Sequence, residues 1–435
     1  MDVALVSGLI LFVGVVVILL LGAPIVIALG LASAFAIIAN LGLDNGALTS
    51  AQRLFTGTTS FTILAIPFFI LAGVIMNNGG ISLRLVNASR SLTGRLPASL
   101  AHTNVLANML FGSISGSAVA AAAAVGGTMG PMQAKEGYPR PFSASVNIAS
   151  APSGLLIPPS NTLIVYSLVS GGTSIAALFI GGYVPGILWG LACMVVIFFY
   201  ARRHQLKADA RIPIKQALKV QLDAIPSLLL IVIVIGGIVG GVFTATEGSA
   251  IAVAYALILS FIYRTIKLRD LPGILLESTK ITAVVLVLIG ASSIMSWVMA
   301  FAGIPALIAG SLLGLTTNMI LIFIIMNVIL LFVGTFMDPT PAVLIFTPIF
   351  LPIAMSFGMT PLQFGIMIVF NLCIGTITPP VGAVLFVGVK IARLKIESVI
   401  RGLLPFFAAL IVVLMLVTFI PELSLALPQF FGLTK

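Results

Sequence analysis

The sequence predicts an all-α polytopic membrane protein, organised as an inverted repeat of five spans plus one re-entrant hairpin per half. Three observations carry that prediction. Of the 435 residues, 60% are hydrophobic and only 7% charged, at a mean hydropathy of +1.26; soluble globular chains carry about 25% charged residues. Apolar runs long enough to cross a bilayer core of about 30 Å recur along the whole length. Two further apolar segments, 98–131 and 318–357, are interrupted near their middles, at 111–120 and 333–342, by glycine and in the second case also proline.

Lipid offers no partner to exposed backbone, so the spans must be helices; a β-barrel would alternate apolar and polar residues in segments of about ten, and these runs do not. The expected spans are 4–21, 23–40, 61–78, 141–170 and 176–201, then 224–243, 247–264, 279–302, 361–390 and 402–421. The first lacks a basic leader and a cleavage site and is long for a signal peptide, so it reads as a span. Segments 43–60 and 211–227 are polar and amphipathic. They suit either interfacial braces or plain surface connectors. Cys193 and Cys373 lie in apolar runs and read as packing residues.

The net charge of +10 would suggest nucleic acid in a soluble protein, but here the bases cluster in loops. Arg84, Arg90 and Arg95 form one cluster; Arg202, Arg203, Lys207, Arg211, Lys215 and Lys219 a second; Arg264, Lys267 and Arg269 a third; Lys390, Arg393, Lys395 and Arg401 a fourth. That distribution is the positive-inside pattern, with the lipid bilayer and not nucleic acid as partner. The hairpin at 98–131 is flanked by Arg95 on one side and Lys135 and Arg140 on the other, so both its ends are expected in the cytoplasm. The hairpin at 318–357 has no Lys or Arg on either flank and is expected to enter from the opposite side. Threading the ten spans through these constraints leaves both termini outside.

The halves, 1–210 and 211–435, match in spacing. Gly112 and Gly334, each ahead of a hairpin tip, lie 222 apart; Pro158-Pro159 and Pro379-Pro380, inside the spans 141–170 and 361–390, lie 221 apart. An odd number of spans per half inverts the second half relative to the first. Inverted repeats with hairpins and broken spans point to a secondary transporter, its site at the repeat interface.

Four interrupted stretches are expected to converge there. The first tip offers Ser113, Ser115, Gly116 and Ser117; the first broken span Ser153, Gly154, Ser160, Asn161 and Thr162; the second tip Thr335, Asp338 and Thr340; the second broken span Gly375, Thr376, Thr378 and Gly382. Carbonyl and hydroxyl oxygens at such breaks suit a hard cation such as Na⁺, one site per half, while helix N-termini suit an anionic group. Any single Ser or Thr more often bridges neighbouring helices; the paired, inverted breaks are what argue for a site.

Asp338, in "GTFMDPTPAV", is the only Asp, Glu, Lys or Arg between Lys280 and Lys390, and the only carboxylate expected near these stretches. As an N-cap before Pro339 it could merely start a helix. A carboxylate within the membrane is costly, so it could also set the field for a cation, order the tip or bond substrate. Asn104 and Asn108 share a hairpin face and read as helix glue, Glu247 as a cap, and His102 and His204 are too far apart for a metal site. No nucleotide-binding loop, dinucleotide fingerprint, zinc-protease motif or hydrolase elbow occurs, so neither an enzyme nor ATP-driven transport is expected.

The stretches "GSISGSAVA", "SGLLIPPSN", "FMDPTPAVLIFTPIFLPI" and "GTITPPVGAVLFV" resemble the large membrane (M) subunit of the tripartite ATP-independent periplasmic (TRAP) transporters, and the resemblance covers essentially the whole chain. It implies an elevator-type architecture of the ion-transporter superfamily kind, in which hairpins and broken spans form a transport domain sliding on a scaffold of the remaining spans. It implies Na⁺-coupled uptake of an organic acid across the bacterial inner membrane, with two partners: a small four-helix membrane (Q) subunit, absent from either end of this chain, and a periplasmic substrate-binding (P) protein. By motif, sodium ligands would come from Ser113, Ser115, Gly116, Ser153, Gly154 and Asn161 in one half and Thr335, Thr340, Gly375, Thr376 and Thr378 in the other; substrate contacts would include Ser115, Ser117 and Asp338. The cargo would be of the sialic acid or C4-dicarboxylate class, with general likeness leaning to sialic acid. A stand-alone Na⁺/dicarboxylate symporter, a proton-coupled carrier and a channel are the alternatives.

Overall fold

The computed structural model describes residues 3–206, 213–316 and 318–434. Lys207 and Arg211 of the second basic cluster, and the 210/211 boundary between the expected halves, lie outside the described residues. Every regular element among the described residues is helical, and eight helices are long and apolar enough to cross a membrane.

The chain opens with α1 (Val3–Leu20) and α2 (Ile25–Leu41). Gly22, at φ +82°, and Pro24, the N-cap of α2, turn one into the other. The polar segment expected at 43–60 is α3 (Leu43–Thr58), packed along α2. Then come α4 (Ala65–Asn78), α5 (Ile81–Thr93), the hairpin arms α6 (Ser99–Ser115) and α7 (Ala118–Lys135), the broken span α8 (Arg140–Ser150) and α9 (Asn161–Val169), and α10 (Ile175–His204).

The second part begins with α11 (Ile214–Val239) and α12 (Ala245–Ile262). The amphipathic stretch expected at 211–227 is not a separate surface piece: from Ile214 it runs through Pro226 into the span. Side chains from two neighbours hold it there. Gln221 donates to the Ala88 carbonyl at 3.0 Å, Arg84 pairs with Asp223 at 3.2 Å, and the Tyr255 hydroxyl donates to the Pro226 carbonyl at 2.7 Å. Glu247 completes a capping box at the start of α12, taking the Thr244 N–H at 2.8 Å, so its carboxylate is occupied by the helix end. After α13 (Leu271–Ala302) and α14 (Ile304–Leu315) follow the hairpin arms α15 (Met319–Gly334) and α16 (Pro339–Ser356), the broken span α17 (Pro361–Gly375) and α18 (Ala383–Ala392), then α19 (Ile396–Phe419) and α20 (Glu422–Phe430).

Contacts between the two parts of the chain come in reciprocal pairs. α4 packs on α12 as α13 packs on α2; α5 on α11 as α14 on α1; α7 on α18 as α16 on α9; α8 on α19 as α17 on α10. Both hairpins are also stitched to the following helix by asparagines. Asn108 donates to Asn147 Oδ1 at 3.1 Å and Ser150 Oγ at 2.8 Å, and Asn371 donates to Asn327 Oδ1 at 2.8 Å. Asn104 accepts from Asn108 at 2.9 Å. These buried amides join helices within protein, where lipid could not satisfy them.

The first tip turns within the expected stretch, at Gly116, at φ +61°. Gly112 sits inside α6. Gly112 serves a different need. A Cβ there would come within 2.6 Å of the Gly154 Cα, so its missing side chain lets the broken span approach rather than breaking the helix.

Candidate functional site

Each hairpin arm restarts differently. Ser117 is the N-cap of α7, its hydroxyl accepting the Ala120 N–H at 3.2 Å. Asp338 holds the equivalent position at the start of α16, with φ −66°, ψ 150° and Pro339 next, yet its carboxylate makes no capping bond. The backbone start of α16 is set by proline. The carboxylate is left accessible on the wall of a cavity.

That cavity, about 210 Å³, lies where the four interrupted stretches meet. The first tip reaches it through Ser115, Gly116 and Ser117, the second through Asp338, Pro339 and Thr340. Asn161 and Thr162 enter from the first broken span, Thr376 and Val384 from the second. Two helices outside the hairpins close it: α4 with Gly73, Val74 and Asn77, and α13 with Glu277, Ile281 and Val285.

Of the residues singled out in the sequence, eight line this one cavity: Ser115, Gly116, Ser117, Asn161, Thr162, Asp338, Thr340 and Thr376. Ser113, Ser153, Gly154, Thr335, Gly375 and Thr378 stand behind that wall. Gly154 lies against Gly112 and Gly375 against Gly334. Asp338 is not the only carboxylate at the site, as the sequence suggests, because Glu277 lines the same cavity from α13. Asn77 and Glu277 were not legible as site residues. The one available signal is the i, i+4, i+8 stripe of Glu277, Ile281 and Val285, a helix face that begins with a charge.

The oxygens behind and along the wall share a disposition. Ser113 donates to the Leu110 carbonyl at 2.8 Å, Ser153 to Ser150 at 2.7 Å, Thr335 to Phe332 at 2.7 Å, Thr376 to Cys373 at 2.7 Å and Thr378 to Ile374 at 2.7 Å. With the hydrogen engaged on its own helix, each hydroxyl keeps lone pairs for another donor or a cation. Asn161 is the sharper case: its buried Oδ1 has no hydrogen-bond partner, and its Nδ2 lies against Gly116, where a Cβ would sit 3.0 Å away. Gly382 stands at the matching place in the second broken span, at φ +24°, with the Thr376 and Thr378 carbonyl oxygens 2.9 and 2.8 Å from where its Cβ would be. The second tip is tied to that turn, the Gly382 N–H donating to the Thr335 carbonyl at 3.0 Å.

Chemically the cavity offers carbonyl, amide and hydroxyl oxygens, two carboxylates and the capped N-terminus of α7, and no Lys or Arg side chain lines it. That is a set for hard cations and hydrogen-bonding organic molecules, with no nucleophile–base pair of the kind an acyl or phosphoryl transfer needs.

Comparison with known proteins agrees with this geometry. Residues 12–423 match the family model described as "Tripartite ATP-independent periplasmic transporter, DctM component". The protein YgiK of Salmonella typhimurium is 56% identical over 423 residues, covering 97% of each chain. The C4-dicarboxylate TRAP transporter large permease protein DctM of Pseudomonas aeruginosa is 40% identical, covering 94% of this chain and 95% of that one. Among solved structures, the YdaH transporter of Alcanivorax borkumensis aligns over 90% of each chain with a TM-score of 0.58 at 15% identity, a likeness of fold. The chain therefore belongs to the DctM family: it is a TRAP large permease, a multi-pass protein of the bacterial inner membrane and not an enzyme, in a family that moves organic acids by secondary transport with a small membrane subunit and a periplasmic binding protein.

Proposed function

We propose that a Na⁺ gradient drives one organic acid per cycle through this chain, with cation and acid held at the cavity between the hairpin tips. The observation that carries the reading is that cavity itself, which joins both tips and both broken spans to α4 and α13. In this reading α6–α9 and α15–α18 move together as the transport domain, elevator-fashion, and the other spans are the scaffold. The reciprocal helix contacts and the 221–222-residue offsets support two inverted repeats, 1–210 and 211–435.

The residues fit Na⁺. Asn161 Oδ1 is a buried oxygen lacking a partner, and with Ser113, Ser115, Gly116, Ser153 and Gly154 it would serve the first cation. Thr335, Thr340, Gly375, Thr376 and Thr378 would serve the second, mainly through carbonyls around Gly382. Na⁺ is cargo here, its charge offsetting Asp338 and the acid's carboxylate.

The acid's carboxylate would rest on the hydroxyls of Ser115 and Ser117 at the N-terminus of α7, where the helix dipole favours an anion. Asp338 and Glu277 accept hydrogen bonds and repel a second negative group. They therefore favour a monocarboxylate rich in hydroxyls, of the sialic acid kind, over a C4-dicarboxylate. The cavity runs along α4 from Ile66 to Asn77 and meets the N-terminal half of α13 at Glu277, Ile281 and Val285. Basic loops assign the Asn77 and Glu277 ends of those helices to the cytoplasm, which supports an inward-facing arrangement.

Reconstitution tests the reading. Proteoliposomes holding this chain with its small subunit should accumulate the acid only with a Na⁺ gradient and a loaded binding protein outside. Uptake without the binding protein would favour a stand-alone symporter, and conductance without saturable uptake a channel.

A further inference from the structure

A second cavity, about 380 Å³, lies further along the same helices and has the opposite character. Arg140 and Arg393 line it, and no Asp or Glu does. Neither guanidinium has an ion-pair partner among the described residues. Three more of its lining side chains, Asn104, Gln133 and Ser143, are only 1%, 0% and 8% exposed. Each leaves an atom without a hydrogen-bond partner: Asn104 Nδ2, Gln133 Oε1 and Ser143 Oγ. Their other atoms are engaged, Gln133 Nε2 donating to the Leu100 carbonyl at 3.0 Å and Asn104 Oδ1 accepting from Asn108 at 2.9 Å. Burying one unpaired polar group costs about 1–3 kcal/mol; three around one space, beside two free cations, make a wall that awaits a polar occupant.

We propose that this cavity binds a small anion bearing a carboxylate or phosphate and at least one hydroxyl group. The two guanidiniums take the anionic oxygens, and the Asn104 amide and Gln133 Oε1, closed off just inside the lining, turn outward to meet the anion and its hydroxyl. Gly127 and Gly130 make room, since a Cβ at either meets nothing within 4 Å. The cavity lies on the side that the basic loops assign to the cytoplasm. It is about 15 Å along α7 from the first, taking Ala120 to Gly130 at about 1.5 Å per residue. α18 also touches both, through Val384 at the first and Gly388 at the second. An occupant would clamp α7 to α8 and α18 and so bear on the first tip. The inference does not depend on which acid is transported.

The test uses the purified chain in nanodiscs, titrated calorimetrically with inorganic phosphate and with glycerate, alongside native mass spectrometry for retained phosphatidylglycerol. Arg140→Gln and Arg393→Gln should each weaken binding of the free anions by about tenfold. Gly127→Leu, at a position where a Cβ meets nothing within 4 Å, should abolish it. If the free anions do not bind but phosphatidylglycerol is retained and lost in the same three variants, the site stands with a lipid headgroup as its source. No binding of either kind, or binding that the three variants leave intact, means the cavity holds only water and overturns the proposal.

Discussion

Gly375 lies so close against Gly334 that a Cβ on Gly375 would come within 2.5 Å of the Gly334 Cα and 2.6 Å of its carbonyl oxygen. The same approach joins Gly154 to Gly112, 221 and 222 residues earlier. At both places the last turns of a hairpin's first arm meet the backbone of a broken span with no side chain between. The contact sets the depth of each tip, and hence the distance between the oxygens on either side of it.

Gly154→Ala and Gly375→Ala should therefore each destabilise the protein by about 1–3 kcal/mol, the usual cost of forcing extra atoms into a packed interior, and should impair uptake. Gly127→Ala, whose Cβ meets nothing within 4 Å, should be neutral. Thermal unfolding in detergent reads the difference. Equal midpoints for all three would show that the glycine contacts are not tight.

Asn161→Ala removes the buried amide oxygen that lacks a partner. Its counterpart 221 residues on is Gly382, which has no side chain to lose. The variant should therefore damage one cation site and spare the other. The Na⁺ concentration for half-maximal uptake should rise by about tenfold, with lower cooperativity. An unaltered Na⁺ dependence would remove Asn161 from the cation site.

Asn371→Ala tests packing rather than transport chemistry. It strips the bonds from Asn371 Nδ2 to the Asn327 carbonyl at 2.9 Å and Asn327 Oδ1 at 2.8 Å. The loss should cost about 1–3 kcal/mol, because acceptors stay buried without a donor, while the Na⁺ dependence of whatever folds stays normal. A shifted Na⁺ dependence with unchanged stability would reverse that assignment.

Glu277→Gln removes one of the two carboxylates that line the cavity. Uptake should persist, and competition by a C4-dicarboxylate should strengthen, since less negative charge opposes a second carboxylate. Competition unchanged from the wild type would place Glu277 outside the substrate's field.

What was legible in the sequence follows from what lipid forbids. Breaks in an apolar run are conspicuous, so both hairpins, both broken spans and the cavity-lining residues from Ser115 to Thr376 stood out. Position within a break was less legible. Gly112 reads only as lying ahead of the tip, and is a packing contact inside α6. The amphipathic α5 and the short α14 and α20 are not long apolar runs and left no comparable mark. Asn77 and Glu277 escaped because they reach the cavity only through the packing of α4 and α13 across the tips. In the sequence they are ordinary polar residues at the ends of spans. Asp338 was conspicuous but ambiguous between a cap and a cavity residue, and its carboxylate makes no capping bond.

The most direct test is Na⁺-driven uptake by Asp338→Asn in proteoliposomes with the small subunit and the loaded binding protein. The substitution keeps the size of the side chain and the proline-set helix start, removes the charge and turns one acceptor oxygen into an amide donor. The account predicts that the variant assembles in the membrane at wild-type levels and that Na⁺-dependent uptake is abolished or strongly reduced. Wild-type uptake by Asp338→Asn, or wild-type uptake that follows a proton gradient and ignores Na⁺, would contradict it.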